Sequence, residues 1–226
     1  MNTQSKLNTL DQIYAIYDSF IADRQLACKE HCAHCCTTKV TLTTLEGYKL
    51  ISGLAAEKHT QLIANIEAAA GRYCFQPSVT INQIADICAR GDDPPEEIDE
   101  RSAECPLLVD SLCSIYPLRP FNCRCFVSRT DCDKDGFADV DDFVLTVNTV
   151  FLQTLEHVDA GGCTGNLADV VATLTVEDNR RAYAAGSLQC TQKGLVPNHN
   201  LKILMVPPAH VEKVQPILKA LRGIRV

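Results

Sequence analysis

The sequence predicts a mainly α-helical protein with a few short strands, folded as a single domain over residues 1–226 around an irregular cysteine-rich metal-binding centre. Three observations support this prediction. The chain has 226 residues, 46% hydrophobic and 22% charged, which is typical of a globular chain that can form one core. Its apolar residues recur mostly at the three- and four-residue steps of amphipathic helices. Its 13 cysteines are far more than a core needs, and many lie in two short segments.

The individual elements follow from periodicity and from local start and stop signals. Two helix starts carry a capping-box pattern, in which Thr is followed three residues later by Glu or Gln: Thr43 with Glu46, and Thr80 with Gln83. The polar stretch Gly91–Pro95 breaks the chain into a loop. Helices are predicted over residues 8–27, from Thr43 to Leu54, over Glu57–Tyr73, from Thr80 onward, and over Asp141–Leu155, Leu167–Ala185 and Val211–Leu221, with strands over Lys39–Thr43 and Leu201–Val206.

The first cysteine segment holds four thiols within nine residues, at Cys28, Cys32, Cys35 and Cys36. Thiolates a few residues apart can converge on one metal ion, because a tight turn directs their sulfurs inward. Cys35 and Cys36 are adjacent and cannot easily reach the same ion, so either one is a spare or the two serve different centres. His31 and His34 are available as nitrogen ligands.

The second cysteine segment runs from Cys105 through Cys113 to Cys123. Asp110 and Ser111 are suited to turn a hairpin between the first two cysteines. The prolines that follow constrain the chain and bring Cys123 to the same neighbourhood. We expect ligation, more than packing, to hold this turn-rich segment.

These motifs resemble the YkgJ-type cysteine-cluster proteins, which are described as zinc- or iron-chelating domains. That family's pattern is roughly CxxCxxCC, then CPxL, a second Cys, and IYxxRPxxCR. The first gap of this chain holds three residues instead of two, and Gly162–Gly165 is similar to a later Cys-Pro-Gly segment with Thr replacing Pro. The match covers about residues 28–165, which leaves 166–226 as a C-terminal extension. The matching positions are Cys28, Cys32, Cys35, Cys36, Cys105, Pro106, Cys113, Ile115, Tyr116, Arg119, Pro120, Cys123 and Arg124.

The resemblance implies a metal-binding module with seven cysteine ligands, or eight when Cys163 is included. Eight thiolates would satisfy two four-coordinate sites, or one cluster plus a zinc ion. Zinc and iron–sulfur clusters both accept four thiolates. We favour an iron–sulfur cluster of the 4Fe–4S type, because so many thiolates without paired C-x2-C motifs are unlike a zinc ribbon. Flagellin lysine methylases of the FliB type share a related cysteine pattern, which makes redox chemistry or methyl transfer the expected role, whereas a zinc-stabilised, non-catalytic binding or scaffold module is the alternative.

Other residues suggest further chemistry. Arg119 and Arg124 lie among the thiols and are predicted to offset the negative charge of a thiolate centre. Asp131, Asp133 and Asp135 match the first positions of an EF-hand loop, which makes a calcium site a further prediction. A cysteine nucleophile with a histidine base is another alternative, but no single cysteine stands apart from the cluster. Whether the protein is an enzyme stays open.

Charge and cysteine usage bear on partners and location. The net charge of −7 argues against a nucleic-acid partner, since phosphate contacts need clustered Lys and Arg. No apolar run is long enough for a membrane span, and the N-terminus carries no signal-peptide pattern, so we expect a cytoplasmic protein without disulfides. The sequence does not identify a protein or small-molecule partner. The cysteines predicted to be ordinary core or surface thiols are Cys74, Cys88, Cys125, Cys132 and Cys190, although Cys125 and Cys132 lie close enough in sequence to the predicted ligands to substitute for one of them.

Overall fold

Helices dominate the fold, as the sequence predicts. The structure is a computed structural model that describes residues 1–69, 73–97 and 101–225. Among these residues, no helix combines the length and the apolar character that crossing a membrane would require. The α-helices are α1 (Thr3–Ala22), α2 (Thr44–Gly53), α3 (Ala56–Ala68), α4 (Ile81–Ala89), α5 (Phe121–Cys125), α6 (Cys132–Asp135), α7 (Asp142–Val158), α8 (Leu167–Thr175), α9 (Glu177–Ala184) and α10 (Gln215–Arg222), with 3-10 turns at Tyr116–Leu118 and Pro208–His210.

Two small antiparallel sheets accompany the helices. The strands are β1 (Thr41–Thr43), β2 (Leu108–Val109), β3 (Leu112–Cys113), β4 (Cys163–Asn166) and β5 (Leu195–Pro197). The larger sheet has the order β1-β4-β5, and β2 and β3 form a hairpin. Strand β5 lies in the C-terminal extension and pairs with β4, which in turn pairs with β1, so the extension shares one sheet with the N-terminal half.

Both predicted capping boxes are present. The Thr43 hydroxyl accepts a hydrogen bond from the Glu46 N–H, and the Glu46 carboxylate accepts one from the Thr43 N–H. The same reciprocal pair joins Thr80 and Gln83 at the start of α4. These starts were predictable because a capping box is made entirely within four consecutive residues.

Several element boundaries differ from the prediction. The first helix begins at Thr3, because Asn2 caps it by accepting from the Ser5 N–H. The segment predicted as one helix over Leu167–Ala185 is two helices, since Val176 takes an extended conformation. The last helix is shorter than predicted and spans Gln215–Arg222. Helix α3 ends at Ala68, and residues 70–72 of its predicted extent lie outside the described residues.

The predicted strand at Leu201–Val206 is wrong, and the segment is irregular. The buried Gln153 side chain takes the place of a neighbouring strand: its Nε2 donates to the Ile203 carbonyl at 2.8 Å, and its Oε1 accepts from the Met205 N–H at 2.9 Å. A side chain 50 residues away therefore satisfies backbone groups that an alternating pattern would assign to a sheet.

An aromatic cluster lies at the centre of the core. The ring of Tyr17 packs edge-on against Phe121 and Phe151, with centroid distances of 4.7 and 5.2 Å. All three side chains are fully buried. This cluster joins α1, α5 and α7, so the helix that carries Cys123 packs directly against the core.

Candidate metal centre

The first cysteine segment is an irregular loop between α1 and β1. Its N-terminal end is fixed by the Ala27 N–H, which donates to the Ser128 carbonyl at 2.9 Å. Its C-terminal end pairs with the start of the second segment, since the Cys105 N–H donates to the Cys36 carbonyl at 3.0 Å and Thr37 forms a β-bridge with Glu104. This pairing brings together two segments that lie far apart in the sequence.

The hairpin between Cys105 and Cys113 forms as predicted. Its turn residues Asp110 and Ser111 both have positive φ, 48° and 61°, which matches the right-handed twist of the short strands. Burial raises the pKa of Cys105 and of Cys113, and the nearby backbone N–H groups of Leu107 and Ile115 partly offset that rise. Backbone N–H groups beside sulfur orient and tune thiolates that bind metal.

Helix α5 presents Cys123 from a well-anchored position. The Phe121 N–H at its start donates to the buried Glu46 carboxylate at 2.7 Å. The Asn122 side chain donates to the Thr41 carbonyl at 2.8 Å. The helix is therefore attached both to the capping box of α2 and to strand β1.

Seven of the eight predicted ligands line a single cavity of about 200 Å³, which we call the thiol cavity. Its sulfurs come from the first loop, the hairpin and α5, so the structure brings together residues that are up to 95 positions apart. The cysteines of the thiol cavity are Cys28, Cys32, Cys35, Cys36, Cys105, Cys113 and Cys123.

The thiols surround this cavity without meeting at one point. Within the described ranges, no three Cys, His, Asp or Glu side chains are placed so that they could together hold a single metal ion as they stand. The chemistry of the donors nevertheless fits a thiophilic metal, because seven soft sulfur ligands face one enclosed space. A group with several metal atoms would meet such donors at separate corners.

The pKa values of these thiols depend on burial and on their neighbours. Burial raises the pKa of Cys123 well above its usual range, and that of Cys105 to about 11. A hydrogen bond between the two adjacent thiols lowers the pKa of Cys36 and raises that of Cys35. In the metal-free protein at neutral pH, Cys105 and Cys123 therefore carry protons that a bound metal would displace.

The two arginines differ in what their guanidinium groups contact. Arg119 lies over the Tyr116 ring, 3.7 Å from its centroid, and lines the thiol cavity. Burial raises the pKa of Cys113, and the Arg119 charge partly offsets that rise. Arg124 also lines the cavity, but it donates to the Arg119 carbonyl at 2.9 Å and pairs with Asp18 at 3.2 Å. Arg119 thus has the placement predicted for offsetting thiolate charge, whereas Arg124 fixes the backbone around it.

Cys163 does not lie with the other predicted ligands. It forms a disulfide with Cys190, with 5.9 Å between their Cα atoms, so its sulfur is not free to bind metal. The prediction of Cys163 as a ligand and the expectation of no disulfides are both corrected here. Cys190 lies in the irregular segment before β5, and its contact with Cys163, 27 positions earlier, is one that cysteine spacing alone does not reveal.

The predicted calcium loop takes a different conformation. Residues 132–135 form the short helix α6, and Asp131 caps it. The Asp131 carboxylate pairs with Lys134 at 3.2 Å, and Arg129 pairs with Asp139. These carboxylates face basic side chains and not a common point, so calcium stays a prediction without support from the geometry.

Two further residues near the thiols bear on the site. His34 lies 3.9 Å from Asp133 through its Nδ1 atom, which places the loop around α6 against the first cysteine segment. His31 lines the thiol cavity with a positive φ of 70°. Cys132, which was predicted to be an ordinary thiol, lies near Cys28. The only sequence signal for its proximity to the site was its position nine residues after Cys123.

Comparison with known proteins finds no family model, no curated protein and no solved structure that matches this chain. The resemblance to YkgJ-type proteins therefore stays a prediction based on the cysteine motifs.

Proposed function

We propose that this chain is a metal-binding protein whose cysteines hold an iron–sulfur cluster in the thiol cavity. The observation that carries the proposal is the convergence of seven thiols from three separate stretches of chain on one cavity. Four of these thiols, which we call the inner group, lie on hydrogen-bonded backbone. Three of the four are close enough to the fourth, Cys36, to interact with it electrostatically. The inner group consists of Cys36, Cys105, Cys113 and Cys123.

The arrangement favours a cluster over a single ion. In a 4Fe–4S cluster each thiolate binds its own iron, so the sulfurs surround a volume and do not meet at a point. Thiols that line a cavity of about 200 Å³ without converging on one ion position fit that requirement. The nearby Arg119 would raise the cluster's reduction potential, because a close cation stabilises the added negative charge of the reduced cluster, whereas burial acts in the opposite direction.

An iron–sulfur cluster supplies one-electron redox chemistry when bound, and a redox role is the function that we propose first. Methyl transfer is supported only by the resemblance of the cysteine pattern to FliB-type methylases. The second candidate is a zinc-stabilised binding module. The backbone N–H groups of Leu107 and Ile115 beside the Cys105 and Cys113 sulfurs favour it, since such turns also hold structural zinc.

We also propose a reducing, cytoplasmic location, which is supported by the eleven free cysteines. The Cys163–Cys190 disulfide counts against it. Cys163 is fully buried, and this would slow its reduction in such a compartment. Mass spectrometry of protein alkylated inside the cell tests the proposal: a fully oxidised set of cysteines would contradict it.

Purification without oxygen tests the metal proposal. We expect a brown protein with thiolate-to-iron absorption and bound iron and sulfide, whereas a colourless protein with bound zinc alone would support the second candidate. Cys123→Ser should abolish the cluster, because a serine hydroxyl stays protonated near neutral pH. The matched control is Cys125→Ala, two residues away in the same helix, whose buried thiol donates to the Asn122 carbonyl. Equal iron content in both variants would contradict the proposed ligand set.

A further inference from the structure

One face of helix α7 borders a pocket that the proposed function does not use. The side chains of Leu145, Asn148, Thr149 and Leu152 line this pocket, which has a volume of about 490 Å³. The last three follow Leu145 by three, four and seven positions, so all four share one face of the helix. We call this space the side pocket. Its volume is typical of pockets that bind small molecules.

The other apolar walls of the side pocket come from two loops. Phe126 and Val127 line it just after α5, and Ala138 and Val140 line it from the loop before α7. Two apolar side chains of the lining remain substantially exposed, Phe126 at 43% and Leu145 at 49%. Exposed apolar side chains around a concave space are typical of a ligand-binding site.

The polar side chains that α7 contributes to the side pocket already have partners within the protein. Asn148 donates to the Cys125 carbonyl at 3.1 Å and accepts from the Tyr17 hydroxyl at 2.8 Å. The Thr149 hydroxyl donates to the Leu145 carbonyl at 3.0 Å. Shape and apolar contact, more than new hydrogen bonds to this face, would therefore decide what binds.

The side pocket offers little to balance the charge of a ligand. Among the described residues, its lining contains no Asp, Glu or Arg. Of its two basic side chains, His34 has its Nδ1 atom 3.9 Å from an oxygen of the Asp133 carboxylate, and Lys39 has a partner of its own. A cation would meet no carboxylate in this lining, and an anion would compete with those partners, so burying either charge there is costly.

Sulfur is the remaining feature of this lining. Five thiols border the side pocket, and three of them also line the thiol cavity, so the two spaces share a wall. Sulfur is polarisable and makes favourable contacts with aromatic rings, and the exposed Phe126 adds a ring against which another ring can pack. Together they favour an aromatic ligand over an aliphatic one of the same size. The five thiols are Cys28, Cys32, Cys35, Cys125 and Cys132.

We propose that the side pocket binds a small, uncharged aromatic molecule of about two fused rings. The ring system would lie between the face of α7 that carries Leu145 and the sulfurs of the first cysteine segment. This inference goes beyond the proposed function, because binding of the ring needs neither iron nor electron transfer. The shared wall would place the ligand directly beside the thiol cavity.

Calorimetry on the full-length protein purified without oxygen tests the inference, with 2-naphthol as the probe. We expect 2-naphthol to bind. The anion 2-naphthoate and the cation 2-naphthylmethylammonium carry opposite charges on the same rings, and each should bind at least about tenfold more weakly. Decahydro-2-naphthol, which has the same carbon skeleton without an aromatic ring, should also bind more weakly. Failure of 2-naphthol to bind would overturn the inference, as would an equal affinity for any of the other three compounds.

A pair of variants locates the binding. Leu145→Glu places a carboxylate in the lining at an exposed position of α7, where the fold should be kept, and it should weaken 2-naphthol binding about tenfold or more. The matched control is Val176→Glu, because Val176 is 51% exposed but is not part of the lining; it should keep the wild-type affinity. Equal affinities in the two variants would overturn the inference. Self-association of wild type that Leu145→Glu abolishes would also overturn it, since the pocket would then be an interface between two copies.

The iron content of the same preparations separates this inference from the proposed function. A colourless, iron-free protein that binds 2-naphthol through the side pocket would refute the iron–sulfur proposal and leave this inference standing. A brown protein with bound iron and sulfide that binds no 2-naphthol would do the reverse.

Discussion

Glu46 is the residue whose replacement tests most directly how the fold supports the site. Its side chain is buried and uses both oxygens. Oε1 accepts from the Tyr14 hydroxyl and the Phe121 N–H, each at 2.7 Å. Oε2 accepts from the Thr43 N–H at 2.9 Å and completes the capping box of α2. One carboxylate therefore joins α1, α2 and the helix that carries Cys123.

The cost of Glu46→Ala follows from these contacts. Losing the cap costs about 1 kcal/mol. The Tyr14 hydroxyl and the Phe121 N–H are left buried without an acceptor, at about 1–3 kcal/mol each, so we expect a total loss of roughly 4 kcal/mol in the free energy of unfolding. That is a large part of the stability of an ordinary domain.

Urea unfolding followed by circular dichroism, on reduced and metal-free protein, measures this loss. Glu46→Gln has one carbonyl oxygen and can serve only one side of the network, so it should lose about half as much. Tyr14→Phe removes a single donor and should lose about 1 kcal/mol. The order Ala, Gln, Phe with an unchanged m-value is the expected result. A loss below about 1 kcal/mol for Glu46→Ala would refute the assigned role of the carboxylate.

Two further predictions concern the cysteines. The double variant Cys163→Ala/Cys190→Ala should lose about 3–4 kcal/mol of stability, as expected for a loop of this length, and keep its metal content; metal loss would restore Cys163 as a ligand. Metal binding should release protons and strengthen as pH rises, because burial raises the pKa of Cys105 to about 11 and metal competes with the proton for the sulfur. Calorimetry in buffers of different ionisation enthalpy measures the release, and a pH-independent affinity would contradict it.

Local patterns in the sequence predicted local structure well. The capping boxes at Thr43 and Thr80 and the Asp110–Ser111 turn are all present, because each is decided by residues within a few positions. The grouping of the thiols around one cavity also follows the cysteine motifs. In the capping boxes and the turn, the interacting groups are close in sequence. The thiols are farther apart, but the turns of their two segments leave them few alternatives.

Features that depend on distant partners were not predictable in this way. Residues 201–206 alternate like a strand but are bound by the Gln153 side chain. Cys163 and Cys190 form a disulfide although 27 positions separate them, and Ser128, which precedes Cys132 by four residues, donates its N–H to the sulfur of the distant Cys28. Spacing alone does not contain these contacts, so it did not reveal that Cys163 forms a disulfide.

The response to metal removal should be uneven across residues 101–130, although the sequence suggested that ligation holds the whole segment. Helix α5 keeps its bonds from Phe121 to Glu46 and from Asn122 to Thr41 without metal, and its aromatic side chain remains in the core. The hairpin, by contrast, has strands of two residues each, and Val109 is 50% exposed at its tip. Beyond the buried Leu107, we expect the proposed ligation of Cys105 and Cys113 to be its main constraint.

Hydrogen exchange on metal-loaded and chelator-treated protein tests this difference. Amides of residues 108–113 should exchange much faster after the metal is removed, because none of these residues is buried and their local opening needs little apolar exposure. Amides of Phe121–Cys125 should change little, and those of α7 provide an internal reference within the core. Equal loss of protection in the hairpin and in α5 would show that the metal, and not the Glu46 network, holds the helix that carries Cys123.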